Sequence, residues 1–121
     1  MIPQKPHVSI IITNYNYAKF ICRCIESCLG QNYDFDFEVI FVDDGSTDRT
    51  YSILSNLHEL DSRIKVLQLK RNFGQTAALA AGIDYSKGDV IVLMDGDGQN
   101  DPKDIPSLLA KVDEGFDLVC G

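Results

Sequence analysis

The chain has no tryptophan among its 121 residues, and no apolar run comes near the roughly 20 residues that cross a bilayer. The first argues nothing by itself; the second excludes a membrane span within these residues. The opening, MIPQKPHVS, passes almost directly into a first apolar run and lacks the charged-then-apolar pattern of a secretory leader. Basic residues are in deficit: 11 Lys and Arg against 18 Asp and Glu give a net charge of −7. Nucleic acid is thereby excluded as the main partner, because neutralising phosphates takes a basic stripe. The glycine fingerprints GxGxxG and GxxxxGK[ST] are both missing. A nucleotide would have to be held by side chains and a metal rather than by a glycine cradle. Of the four cysteines, Cys24 and Cys28 lie one helical turn apart, on a face with Ile21 and Ile25, and read as small buried thiols. His7 and His58 are not placed to complete a zinc site with Cys22, Cys24, Cys28 or Cys120. Reduced thiols make a cytosolic compartment the default.

What is present is ordinary in bulk: 45% hydrophobic and 24% charged residues, enough for one globular domain with a real core. The order of those residues is more telling. Val8-Ser9-Ile10-Ile11-Ile12, Val39-Ile40-Phe41-Val42 and Val90-Ile91-Val92-Leu93-Met94 are short β-branched runs. Each has the character of a strand buried on both faces of a parallel sheet. Residues 64–69 alternate more, as a strand with one wetter face does. Between them apolar residues recur at helical spacing: Phe20, Ile21, Cys24, Ile25, Cys28 and Leu29, stopped by Gly30; then Ile53, Leu54, Leu57 and Leu60 behind the cap-type residues Ser46, Thr47 and Asp48. An alanine-rich helix is expected from Thr76 to about Tyr85. A last one has Pro102 and Pro106 in its first turn, the stripe Ile105, Leu108, Leu109 and Val112, and Gly115 at its end. Alternating strands and helices predict an α/β fold, three layers deep, with a mainly parallel sheet. Phe116-Asp117-Leu118-Val119-Cys120 reads as the start of a fifth strand, so residues 1–121 are expected to be a domain truncated at its C-terminus.

Three of the apolar runs end in oxygen-rich segments: Thr13-Asn14-Tyr15-Asn16, Asp43-Asp44-Gly45-Ser46-Thr47-Asp48 and Asp95-Gly96-Asp97-Gly98-Gln99-Asn100-Asp101-Pro102. Ligands of open α/β sheets bind beyond the carboxyl ends of the strands. Turn chemistry accounts for any one of these loops; three at the same polarity imply a shared site. Asp95, Asp97 and Gln99 supply hard oxygens suited to Mg²⁺ or Mn²⁺. Tyr15 can stack on a base and Asp44 can accept from a base or ribose, or each can simply serve a turn or a helix cap. The start of the alanine-rich helix, near Gly74-Gln75-Thr76, suits an anion that Arg71 also reaches, although alanine is a helix former that needs no ligand.

In these segments the chain resembles the nucleotide-binding half of the inverting GT-A-fold glycosyltransferases, family 2. The resemblance extends over essentially all of its length. Arg71-Asn72-Phe73-Gly74-Gln75-Thr76-Ala77-Ala78 and Asp97-Gly98-Gln99-Asn100-Asp101-Pro102 are similar to the branch acting on polyprenyl phosphates, such as bactoprenol and dolichol phosphate. The resemblance implies transfer of a sugar, with inversion, from a UDP- or GDP-sugar to a lipid phosphate or a glycan. It places Thr13, Tyr15, Asp43, Asp44, Arg71, Asp95 and Asp97 at the nucleotide, and Asp95, Asp97 and Gln99 at the cation. Tyr17, Gly96 and Gly98 depart from the family pattern, which bears on base and sugar selectivity. The general base and acceptor groups are expected beyond Gly121, so this stretch alone is expected to bind donor without transferring it. Membrane association would come only through segments absent here, at the cytoplasmic face. A phosphoacceptor receiver domain has similar length and strand-end acids. It would carry its acidic pair after the first strand and a lysine after the fifth, whereas here the pair follows the second. A DxDG phosphohydrolase would carry that motif on its first strand. A non-catalytic nucleotide-binding module is the remaining alternative.

Overall fold

A computed structural model of the chain describes residues 6–16, 18–30, 33, 35–95 and 102–117. Four parallel strands, β1 (Val8–Asn14), β2 (Phe37–Asp43), β3 (Ile64–Gln68) and β4 (Val90–Asp95), form one sheet in the order β3-β2-β1-β4. Helices α1 (Ala18–Leu29), α2 (Thr50–Leu60), α3 (Gln75–Tyr85) and α4 (Ile105–Asp113) connect or follow them, the last preceded by a single 3-10 turn at Pro102–Asp104.

Side-chain alternation divides the core in two. Val8, Ile10 and Ile12 of β1, Phe37, Val39 and Phe41 of β2, and Val92 and Met94 of β4 share one cluster with Ile21, Cys24, Ile25 and Cys28 of α1, Leu54 of α2, and Ile105 and Leu109 of α4. Ile11, Ile40 and Val42 face the other way, onto Ala78 of α3. The layers are therefore α/β/α, as the alternating pattern predicts. The chain steps outward from β1 to β3 with helices on one face and returns to β4 with α3 on the opposite face. That division is what crossovers of one hand require. Alanine and glycine let α3 sit close: a Cβ on Gly82 would stand 2.6 Å from Ile11 Cγ2. Cys24 and Cys28 are buried and in no disulfide, and the hydrogen bond that the Cys28 thiol donates to Cys24, together with burial, pushes the Cys28 thiol up.

The structure corrects two expectations of burial. β4 does not have both faces covered: Ile91 and Leu93 are 39% and 50% exposed, because among the described residues β4 is the outermost strand and α3 lies over β1 and β2. Leu60, at the end of α2, is 83% exposed, although Leu57 of the same turn packs against the core. Phe116 and Asp117 are not in a strand, and the remainder of the expected fifth strand lies outside the described residues. So do Tyr17, Gly96, Asp97, Gly98 and Gln99.

Candidate functional site

The carboxyl ends of β1, β2 and β4 meet in register. Asn14 pairs with Asp43, and Thr13 lies between Val42 on one side and Asp95 on the other. Between β1 and β4 the strand order turns back on itself, which is where the crevice of such sheets opens. Thr13, Asp43 and Asp44 are buried and Tyr15 is 39% exposed. Arg71 is exposed, with its guanidinium 4.8 Å from the centre of the half-exposed Phe73 ring. Asp95 is the last residue of β4 and pairs in register with Thr13. Asp97 and Gln99, expected to complete the cation ligands, lie outside the described residues. Among the described residues no three His, Cys, Asp or Glu side chains converge on a common point.

The loop after β2 is the hub of this end. Asp43 Oδ1 accepts the Ser46 N–H at 3.0 Å, while Asp43 Oδ2 is buried with no hydrogen-bond partner among the described residues. Beside it, Asn14 Nδ2 donates to Thr50 Oγ1 at 3.4 Å, and Asn14 Oδ1 is likewise buried and unpartnered. Two unpartnered buried acceptors on paired strand residues are costly, and among the described residues they are the ones left so; such groups call for a functional explanation. Asp44 is engaged differently: Oδ1 accepts from Phe73 N–H at 2.9 Å and Oδ2 from Gly74 N–H at 3.1 Å. It thus ties the loop before α3 to the β2 loop, and it sets a carboxylate near the helix start that the sequence marks as suited to an anion. Gly45, at φ +70°, makes the same docking possible, because a Cβ there would stand 2.2 Å from the carbonyl carbon of Arg71. Asp48 stands one residue before the N-cap of α2, which is Arg49 and makes no side-chain cap hydrogen bond; Asp48 Oδ1 accepts instead from the N–H of Thr50, the first helical residue, at 3.0 Å.

Sequence reasoning gives no role to Asn14 or Asn16, yet these flank Tyr15 and tie its loop to the hub. Asn16 is the only non-glycine residue with positive φ among the described residues, at 57°. Asparagine tolerates that conformation better than most residues, and an Asn before a second acid-rich loop is the one signal the sequence carried.

Comparison with known proteins follows these features. Residues 9–121 match the family described as Glycosyl transferase family 2. The chain belongs to that family. It is 43% identical over 119 residues to the undecaprenyl-phosphate 4-deoxy-4-formamido-L-arabinose transferase of Enterobacter sp. (strain 638), covering 93% of this chain and 35% of that protein. It is 39% identical over 125 residues to the dodecaprenyl-phosphate galacturonate synthase of Rhizobium johnstonii, covering 98% and 36%. Among solved structures, S. aureus TarS 1–349 in complex with UDP superposes with a TM-score of 0.75 at 28% identity, over 89% of this chain and 32% of that one. The mannosyltransferase PcManGT from Pyrobaculum calidifontis, in complex with GDP-Man and Mn²⁺, gives 0.70 at 28% identity, over 78% and 28%. The chain thus spans about a third of the length of the relatives it matches. The four parallel strands are those of a GT-A sheet, and the family assignment sets aside the receiver-domain and phosphohydrolase readings.

Proposed function

We propose that this chain is the donor-binding part of an inverting glycosyltransferase that moves a sugar from a nucleoside diphosphate to a polyprenyl phosphate. The observation that carries the reading is the shared end of β1, β2 and β4, with Thr13 beside Asp95 and Asn14 beside Asp43. The 39–43% identity to transferases named for polyprenyl-phosphate products supports the acceptor class. Relatives solved with UDP and with GDP-Man and Mn²⁺ support the donor class and a divalent cation.

In this reading Tyr15 offers its half-exposed ring to the base, and Asp43 keeps an unpartnered acceptor for a donor group of the base or ribose. Thr13 and Arg71 border the nucleotide, Arg71 on the exposed side with Phe73 against it. The donor set Asp95, Asp97 and Gln99 is all oxygen, which fits Mg²⁺ or Mn²⁺. When bound, the cation neutralises charge on the departing diphosphate. Attack from the face opposite the leaving group inverts the anomeric centre, and a lipid phosphate, being already anionic, needs no general base to do so. The acceptor is met at the cytoplasmic face of a membrane. No helix among the described residues is long and apolar enough to cross one.

The test uses the full-length protein. Titration calorimetry with UDP and GDP is expected to give Mn²⁺-dependent binding that EDTA abolishes; equal affinity in EDTA counts against the cation. Asp97→Asn is expected to lose most of the metal-dependent part, since the cation loses a charged ligand. Labelled sugar from the nucleotide is expected on polyprenyl phosphate in detergent and not on the unphosphorylated polyprenol. Equal labelling of both would remove the phosphate from the acceptor's definition.

A further inference from the structure

Tyr15 owes its place to the residue that follows it. The Asn16 carboxamide oxygen accepts from the N–H of Thr47 at 2.7 Å and of Asp48 at 3.3 Å, and from Thr47 Oγ1 at 3.4 Å. Its own backbone N–H donates to Ser46 Oγ at 2.8 Å. Ser46 in turn donates its N–H to Asp43 Oδ1. One exposed residue, through its side chain and its own N–H, therefore joins the β1 loop to Ser46, Thr47 and Asp48, with its backbone at φ 57°. On the other side of Tyr15 the Asn14 carbonyl accepts from Asp44 N–H at 2.9 Å. Tyr15 is held between two anchors, one of ordinary strand backbone and one built by a side chain.

We propose that Asn16 is a positioning residue for donor binding: it fixes the Tyr15 loop against the Asp43–Ser46 turn, so that both present one preformed surface to the nucleotide. This rests on the donor-site reading above. Asn16 does not itself touch the donor. Without it the two loops keep their strands but not their mutual register, and the loss falls on binding rather than on turnover of bound substrate. Small misplacements of this kind are costly when a site relies on preformed geometry.

The acceptor and the backbone conformation can be separated by substitution in the full-length protein. Asn16→Asp keeps a carbonyl-type oxygen and tolerates positive φ; Asn16→Gly tolerates positive φ but has no acceptor. The expectation is that Asn16→Asp binds UDP or GDP in Mn²⁺ within about threefold of wild type, while Asn16→Gly weakens both by about tenfold or more. The KM for sugar nucleotide rises in parallel, with kcat at saturating donor changed less than about twofold. Ser46→Ala deletes one of the same contacts without touching the strained residue and is expected to shift KM in the same direction, by less. It decides the matter should Asn16→Gly fail to fold. Wild-type affinity in Asn16→Gly, or in Ser46→Ala where Asn16→Gly does not fold, overturns the positioning role. A fall in kcat with KM unchanged does so too. A wild-type protein that binds no nucleotide overturns the donor-site reading, and this inference with it.

Discussion

Both ends of the sheet bury an acidic side chain that receives two donors, yet the two ends are finished differently. At the amino end Glu38 Oε2 accepts from the Ser9 hydroxyl at 2.6 Å and from Lys87 N–H at 2.8 Å, while Ser9 Oγ accepts from Gly88 N–H at 2.8 Å. The ring is closed, and no member is left without a partner. At the carboxyl end Asp44 is equally well served by Phe73 and Gly74, but the neighbouring Asp43 Oδ2 and Asn14 Oδ1 are not. A satisfied buried network fixes a connection, whereas unsatisfied acceptors destabilise the free protein and are recovered when a ligand donates to them. The amino end holds the α3–β4 connection in place; the carboxyl end keeps the unpartnered acceptors that the proposed donor site would use.

The contrast can be broken most severely at its glycines. Gly45→Ala is expected to cost at least about 3 kcal/mol, because a methyl would overlap the Arg71–Asn72 backbone while the residue sits at φ +70°. Gly88→Ala meets Ser9 N at 2.6 Å and is expected to cost a comparable amount, though with no effect on nucleotide affinity in the molecules that remain folded. Urea unfolding and calorimetry on the same samples separate the two. Gly74→Ala has nothing within 4 Å and should cost less than Gly45→Ala despite φ +99°.

Next in size, Glu38→Ala strands the Ser9 hydroxyl and Lys87 N–H and is expected to destabilise by about 2–3 kcal/mol. Asp43→Asn sharpens the comparison, since it replaces the unpartnered Asp43 Oδ2 with a donor on the strand paired with Asn14, whose Oδ1 is the other unpartnered acceptor. Its stability is expected to change by less than about 1 kcal/mol, in either direction, while nucleotide binding is largely lost. A fall in stability as large as that of Glu38→Ala would show that the two ends are built alike.

The smallest effect belongs to neither end. Asp61 on the α2–β3 turn accepts from Arg63, and that hydrogen bond holds its carboxyl below the usual carboxylate range. A depressed folded-state value gives stability that is present above the unfolded carboxylate range and lost as pH falls through the folded one. With Arg63 44% exposed, solvent screening limits the pair, and Asp61→Asn is expected to cost no more than about 0.5 kcal/mol at neutral pH. The difference from wild type should close as the pH is taken into the acid range; a difference that persists there would assign it to the turn instead.

The order of elements from β1 to α4, the parallel sheet and the polar loops after β1 and β2 were legible because each depends on local pattern. β-branched runs of four or five residues between amphipathic helices leave little choice but βαβ units, and parallel strands bring like ends together. The exposure of Ile91 and Leu93 was not legible, since periodicity records which residues are apolar and not which strand is outermost. Nor were the roles within the hub. Asp43 and Asp44 are adjacent and chemically identical, but Asp44 turns towards Phe73 and Gly74, which lie 29 and 30 residues further on, and Asp43 stays against β1 with an oxygen to spare. The chain's own sequence determined that acids, amides and an aromatic ring would gather at one edge of a parallel sheet. Only the tertiary structure decided which of them brace the loops and which remain open to a ligand. A hydrogen-bond partner distant in the chain is chosen by packing, not by its neighbours in sequence.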